Sequence, residues 1–250
     1  MRCLVLITDK YKKLIRLYIA EEALVKGQAC ALNENQAHYL RNVMRKAPGD
    51  QIRVFNGKDG EFLAELEVVK KRSAMIILKE QLLEQKNSGN VWVVASPIKK
   101  TNFDLMVEKS SELGASKFVP AIFEHTVVHK VKLERLEAIA IEAAEQSERL
   151  YVMEVCDIQR DVVQFIKDNQ NIKFLFCVER SLEKSILKVL SDIGSNDVAV
   201  IIGPEGGFSD KEISNISALD NCYPVSLGGN VLRSETAMIS ALSAINLLPA

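Results

Sequence analysis

Hydrophobic residues follow two textures along this chain. Up to about residue 80 they fall in short runs rich in β-branched and aromatic side chains, at 14–20, 28–32, 51–55, 61–69 and 74–78, separated by Gly, Asn and Asp. Runs of that length and make-up predict strands. Asn56-Gly57-Lys58-Asp59-Gly60 is the clearest turn among them, and Lys70-Lys71-Arg72 has the polarity of a hairpin tip. One helical stretch, roughly 34 to 45, interrupts the strands and is stopped by Pro48-Gly49. Together these elements predict a small β-barrel. The polar run Gln85-Lys86-Asn87-Ser88-Gly89-Asn90 then reads as a linker. From Val91 onward, predicted strands at 91–95, 117–122, 153–156, 173–178, 198–202 and 222–226 alternate with amphipathic helices at about 102–113, 132–148, 181–193, 209–218 and 234–248. Such alternation predicts a mostly parallel sheet covered on both faces, with ligands bound beyond the carboxyl ends of its strands.

Two glycine-rich turns stand at such strand ends. Ile201-Ile202-Gly203-Pro204-Glu205-Gly206-Gly207-Phe208-Ser209 is one, and Leu227-Gly228-Gly229-Asn230-Val231-Leu232-Arg233-Ser234-Glu235-Thr236-Ala237 is the other. In each, an apolar run gives way to glycines, and a helix begins directly afterwards at a Ser with an acidic residue close behind. Glycines let a ligand approach the backbone, and the free N–H groups of a helix start favour a carboxylate or other anion, so the two turns predict one shared ligand site. Gly206 is a position where a side chain would be expected to meet that ligand. No Gly-Lys-Ser/Thr follows the glycines and no Gly-x-Gly-x-x-Gly follows a strand, which excludes the common phosphate loops.

With 250 residues and 48% hydrophobic content, the chain holds one large domain, or a medium domain with a small companion. Leu4-Val5-Leu6-Ile7 is too short for the core of a signal peptide and runs into Thr8-Asp9-Lys10 rather than a small-residue cleavage site; no other run approaches bilayer length. The five cysteines are scattered and never spaced Cys-x-x-Cys, as expected of reduced thiols in a cytosol, and three histidines argue against a protein-ligated metal. The net charge of −1 is uneven. Residues 1–80 carry 15 Lys and Arg against 10 Asp and Glu, whereas the remainder carries 17 against 23. A basic first part suggests a phosphate footprint there, or simply the solvated surface of a small barrel.

These residues give the chain a family likeness. Gly203-Pro204-Glu205-Gly206-Gly207-Phe208, with Leu227-Gly228 and Leu232-Arg233-x-Glu235-Thr236-Ala237, resembles the C-terminal signature of the SPOUT methyltransferases, knotted S-adenosylmethionine enzymes of RNA modification. Within them the chain resembles the RsmE family, which methylates N3 of a uracil in small-subunit ribosomal RNA. The likeness also runs through Arg16-Leu17-Tyr18-Ile19, His38 with Val43-Met44-Arg45, Val54-Phe55-Asn56-Gly57, Lys109-Ser110-x-Glu112-Leu113-Gly114 with Pro120, and Glu142 to Ser147 with Arg149. The chain departs from the family at Glu148, where Gly is usual, at Val152-Met153, where Val-Pro is usual, and at Asn56 and Met44, where Asp and Leu are common. Residues 1–13 precede the usual start of the family.

The resemblance implies an α/β fold: a PUA-like β-barrel over 1–84 that binds RNA, then a SPOUT-type methyltransferase domain over 85–250 with a trefoil-knotted C-terminus. It implies a cytoplasmic homodimer to which the helices at 102–113 and 234–248 contribute, with Met238, Leu242 and Ile245 of the latter partly buried between subunits, and the 30S subunit as partner. S-adenosylmethionine would be held by Ile202, Gly203, Pro204, Glu205 and Gly206, by Leu227, Gly228, Val231, Leu232, Arg233, Thr236 and Ala237, and by Cys177, Val178 and Glu179 as a third wall. Uracil N3 carries a proton, so attack on a sulfonium methyl needs in-line placement and help with that proton. Arg233, Glu205 and Arg149 are the candidate catalytic residues. Arg233 would steady developing oxyanion charge, or else form an ion pair with Glu205 or Glu235; Glu205 would receive a proton, or else cap a helix. Arg16, His38, Arg41, Arg45, Lys100, Gln146 and Arg149 are candidates for RNA contact, against ordinary surface charge. Three alternatives stand beside this reading: an RNA-binding protein of the same fold without catalysis, another SPOUT rRNA or tRNA methyltransferase, and an α/β enzyme with a different nucleotide cofactor.

Overall fold

The computed structural model describes residues 9–21, 23–86, 89–179 and 183–248. Its contacts divide the chain into two units, Met1–Asn87 with Ala144–Tyr151, and Ser88–Ala143 with Val152–Ala250. Most of the expected N-terminal extension, residues 1–8, lies outside the described residues.

In the first unit a short helix α1 (Asp9–Lys12) precedes strands β1 (Arg16–Tyr18) and β2 (Ala29–Leu32). Helix α2 (Glu34–His38) follows, started by an Asn33–Gln36 capping box, and continues into a π-helical turn (Tyr39–Val43). Strands β3 (Gln51–Phe55), β4 (Glu61–Val69) and β5 (Ala74–Leu83) complete a five-stranded sheet of order β1-β3-β4-β5-β2. Residues such as Leu17, Ile52, Val54, Phe62, Leu66 and Ile76 alternate inward and form its core with Leu40. Asn56 does what an Asp would do in its turn, accepting from the N–H groups of Lys58 and Asp59 at 3.0 and 2.9 Å.

An ion cluster is buried in this unit. Glu61, with no exposure, accepts from Arg16 and Arg53, which are 6% and 3% exposed. Arg16 also donates to the carbonyls of Ala144 (2.7 Å) and Arg149, and Arg53 reaches Glu148 at 2.7 Å. The segment 144–151 is thereby fastened to the sheet. Glu148 takes φ +57°, a left-handed conformation that explains why Gly is the family's usual residue there.

The second unit runs β6 (Val91–Ala95), α3 (Lys100–Glu112), β7 (Lys117–Pro120), α4 (Leu133–Gln146, its last turn counted with the first unit), β8 (Glu154–Val155), α5 (Val162–Asp168), β9 (Lys173–Cys177), α6 (Ile186–Ile193), β10 (Val198–Ile202), α7 (Asp210–Ser217), β11 (Cys222–Val225) and α8 (Ser234–Leu247). Its six strands are all parallel, in the order β11-β9-β10-β6-β7-β8. Every residue of β6 and β10 is buried, as two-sided coverage requires. Val91, Val93, Val198 and Val200 pack into one core with Met106, Met238, Leu242 and Ile245 from the helices. Trp92, Val94, Ala199 and Ile201 point the other way, to Ile166 and Ile216. Met238, Leu242 and Ile245 are thus spent within the chain's own core, which corrects the expectation that they face a second subunit. No helix among the described residues is long and apolar enough to cross a membrane.

Candidate active site

The carboxyl ends of neighbouring strands β10, β9 and β11 open into one cavity of about 380 Å³. Its first wall is the turn after β10. Gly207 donates its N–H to the Pro204 carbonyl at 3.0 Å and takes φ +70°, closing a tight turn that a residue with a Cβ would strain. Helix α7 starts at once, because Ser209 and Glu212 cap it reciprocally. That start brings Phe208, Asp210 and Ile213 to the cavity. The Phe208 ring lies edge-on to Phe123 and Phe176, with centroids 5.0 and 4.6 Å away. A Cβ on Gly203 would stand only 2.8 Å from it, so the glycine is what lets this ring occupy its place.

The second wall is Ser226, Leu227, Gly228, Asn230 and Leu232, continued by Ser234 and Ala237 in the first turn of α8. Ser234 donates its hydroxyl to the Gly203 carbonyl at 2.8 Å and ties the two glycine turns together. Cys177, Val178 and Glu179 form the third. Burial pushes the Cys177 thiol up to about 12, so it packs as a neutral group and is no nucleophile. Apolar walls (Ile202, Phe208, Leu227, Leu232) beside Glu179, Asp210 and Asn230 suit a ligand with a flat apolar body, hydroxyl groups and positive charge. S-adenosylmethionine fits that description through its adenine, its ribose and its ammonium and sulfonium centres.

Of the residues expected at the donor, Cys177, Val178, Glu179, Ile202, Gly203, Pro204, Leu227, Gly228, Leu232 and Ala237 line the cavity. Five do not. Val231 is 54% exposed and turned to solvent, which corrects its expected apolar contact. Gly206 faces His125 instead, whose Cβ lies 3.1 Å from where its own would be. Glu205, Arg233 and Thr236 are exposed and flank lining residues, at the cavity's margin. Glu235 accepts from Asn102 at 3.1 Å rather than from Arg233. Gly207, Phe208, Asn230 and Ser234 belong to the two turns the sequence pointed to, whereas Asp210, Ile213 and Ser226 were missed. The position of Asp210 and Ile213 at a helix start directly behind the glycines was the available signal.

The RNA candidates separate by burial. His38, Arg41, Arg45, Lys100 and Gln146 are exposed. Arg16 is corrected, because its guanidinium is consumed inside the first unit by Glu61 and two carbonyls. Arg149 is corrected as a catalytic group as well. It is 9% exposed, its guanidinium stacks 4.2 Å from the Tyr151 ring centre, and burial lowers its pKa.

Comparison with known proteins agrees with this geometry. Residues 84–246 match the model of an RNA methyltransferase domain, and residues 32–79 match that of an RNA methyltransferase PUA domain. The chain is 33% identical over 233 residues to ribosomal RNA small subunit methyltransferase E of Rickettsia conorii, covering 93% of this chain and 95% of the relative. The protein of that name from Bacillus subtilis is 30% identical, with 91% and 93% covered. Among solved structures, the same enzyme of Neisseria gonorrhoeae bound to S-adenosyl methionine superposes with a TM-score of 0.80 at 30% identity, covering 93% of this chain and 96% of that one. A methyltransferase of Legionella pneumophila in complex with the same cofactor gives 0.83 at 31%, with 93% and 97% covered. Fold and site together define a PUA-like domain joined to an α/β RNA methyltransferase domain. The chain belongs to the ribosomal RNA small subunit methyltransferase E family.

Proposed function

We propose that the chain uses S-adenosylmethionine to methylate N3 of one uridine in small-subunit ribosomal RNA, acting in the cytoplasm on the assembled 30S subunit. The observation that carries this reading is the cavity at three parallel strand ends, with carboxylates for a cationic ligand and two solvent-facing ionisable groups, Arg233 and Glu205, at its margin. S-adenosylmethionine, when bound, supplies an electrophilic methyl on a positively charged sulfur. The chain's own part is to hold the uracil in line and manage the N3 proton. As that proton leaves, charge spreads to the two carbonyl oxygens of the base. Arg233, set at the N-cap of α8 by an extended backbone (φ −67°, ψ 154°), offers a planar fork to an oxygen there. Its attraction grows as the charge develops, so it acts on the transition state more than on the resting base. Glu205, exposed between Pro204 and Gly206, is the proton acceptor in this reading. The same reading carries a knotted C-terminal segment and a homodimer.

Labelled methyl transfer to undermethylated small subunits, with the modified base mapped, tests the assignment. Arg233→Lys should lower turnover roughly 10- to 1000-fold, the scale of one lost well-placed donor, with donor and RNA affinities unchanged. Normal turnover with weakened donor binding would make Arg233 a pocket-forming residue. Transfer to another base would refute the N3 assignment.

A further inference from the structure

A second cavity, of about 370 Å³, lies in the methyltransferase domain away from the residues that line the first. Its floor is apolar, made by Ile98, Phe103 and Leu136, all buried. Its rim is cationic. Lys100, Lys130 and Lys132 are exposed and Arg135 half-exposed, whereas the one carboxylate in the lining, Asp104, is already bound to Arg135. Three ammonium groups therefore ring an apolar hollow with no free acid in its lining.

The loop that builds this cavity starts at the donor turn. His125 Nδ1 lies 3.2 Å from the carbonyls of both Gly206 and Gly207. Thr126 is buried, its hydroxyl 2.9 Å from that of Ser96 and accepting from the Phe123 N–H at 2.8 Å. Val128, Lys130, Val131 and Lys132 then line the second cavity. Five residues of chain, from His125 to Lys130, span at most about 18 Å. The two cavities are thus within reach of one short stretch of single-stranded polymer.

An apolar hollow ringed by cations takes a flat apolar body that carries negative charge beside it. Single-stranded nucleic acid offers that combination at every residue, a base and a phosphate, and unpaired bases are what proteins read in RNA. We propose that this cavity receives a nucleotide flanking the methylated uridine, with its base over Phe103 and Leu136 and its phosphates at Lys130 and Lys132. It is a substrate-selecting subsite separate from the methyl-donor cavity. The proposal rests on the RNA-methylation reading above.

Two filling variants, Val131→Trp and Val128→Trp, close the cavity from different walls without changing charge, so one remains informative if the other fails to fold. Each should raise KM for small subunits about tenfold or more, with kcat, S-adenosylmethionine affinity and melting temperature unchanged. Lys130→Ala combined with Lys132→Ala should raise KM as well and reduce the salt slope of RNA binding by roughly two, which the filling variants should not. Filling variants that fold, bind the donor and keep wild-type KM overturn the subsite, even where the lysine pair matters, because charge alone would then explain the effect. Wild-type protein that transfers no methyl to small subunits would instead sink the functional reading, and the subsite with it.

Discussion

Gly203→Ala is the smallest change that should disable the donor cavity. The backbone does not ask for glycine at this position, which is absent from the left-handed residues, so alanine brings no conformational strain. Its Cβ would meet three atoms of the Phe208 ring at 2.8, 2.9 and 3.1 Å. Ordinary carbon contacts lie at about 3.5–4.0 Å, so the ring must yield by more than half an ångström. Phe123 and Phe176 hold it edge-on at 5.0 and 4.6 Å. The relief available is a turn of the ring into the cavity or a shift of the end of β10. Overpacking of this kind costs about 1–3 kcal/mol. If donor binding must restore the original ring position, that cost becomes roughly a 5- to 150-fold loss of affinity. Calorimetry with S-adenosylhomocysteine and a thermal melt read the two effects. Phe208→Leu in the Gly203→Ala background should recover most of the binding, and Gly229→Ala, whose Cβ meets nothing within 4 Å, should leave both readouts unchanged. Wild-type affinity and melting in Gly203→Ala would refute the wedge. Gly206→Val, the change suggested by sequence, is a poorer probe, because Gly206 does not line the cavity and its side chain would meet His125 rather than the donor.

Three further outcomes are expected. Glu61→Gln leaves Arg16 and Arg53 buried without their shared counter-charge and should cost roughly 3–5 kcal/mol, measured as a fall in urea midpoint; a loss under about 1 kcal/mol would contradict the cluster's role. Burial raises the thiols of Cys177 and Cys222 from 9.0 to about 12, so the unfolded chain gives up these protons first. Their contribution is complete below pH 9 and is lost as pH rises toward 12, by up to about 1.4 kcal/mol per pH unit for each thiol; Cys177→Ala with Cys222→Ala should flatten that fall, and an unchanged slope would count against it. Arg41→Ala and Arg45→Ala should each reduce the salt slope of RNA binding by roughly one, and intact affinity and slope in both would place the footprint elsewhere.

Much of the fold was legible because strand periodicity is a local signal. The runs at 51–55, 61–69, 91–95 and 198–202 became strands with the bounds the pattern set. Helix α5 was missed, since Val162–Asp168 spans barely two turns and its apolar positions are too few to establish a period. The predicted helix at 34–45 divides, because Met44 donates back five residues to the Tyr39 carbonyl at 3.0 Å and widens the turn. Backbone glycines marked the donor cavity, but the side chains that shape it did not stand out: Phe208 gains its meaning only from Phe123 and Phe176, far away in the chain. Arg16 misled for the same reason. Nothing near it in sequence announces that parallel pairing sets it beside Arg53, or that Glu61 lies beneath both.

The strand order has a consequence for how the protein is made. Strands β6, β7 and β8 adjoin one another and can pair as soon as they leave the ribosome. Strand β9 cannot join them, because its only neighbours in the finished sheet are β10 and β11, and β10 is the strand that fills the gap beside β6. The apolar run Phe174-Leu175-Phe176 must therefore wait, unpaired, until at least residue 202 has been synthesised. The donor cavity waits longer still, for Ala237. A nascent chain paused between these points exposes unpaired strand edges and has no methyl-donor pocket through which the cofactor could stabilise it, which makes this interval the one in which a chaperone matters most.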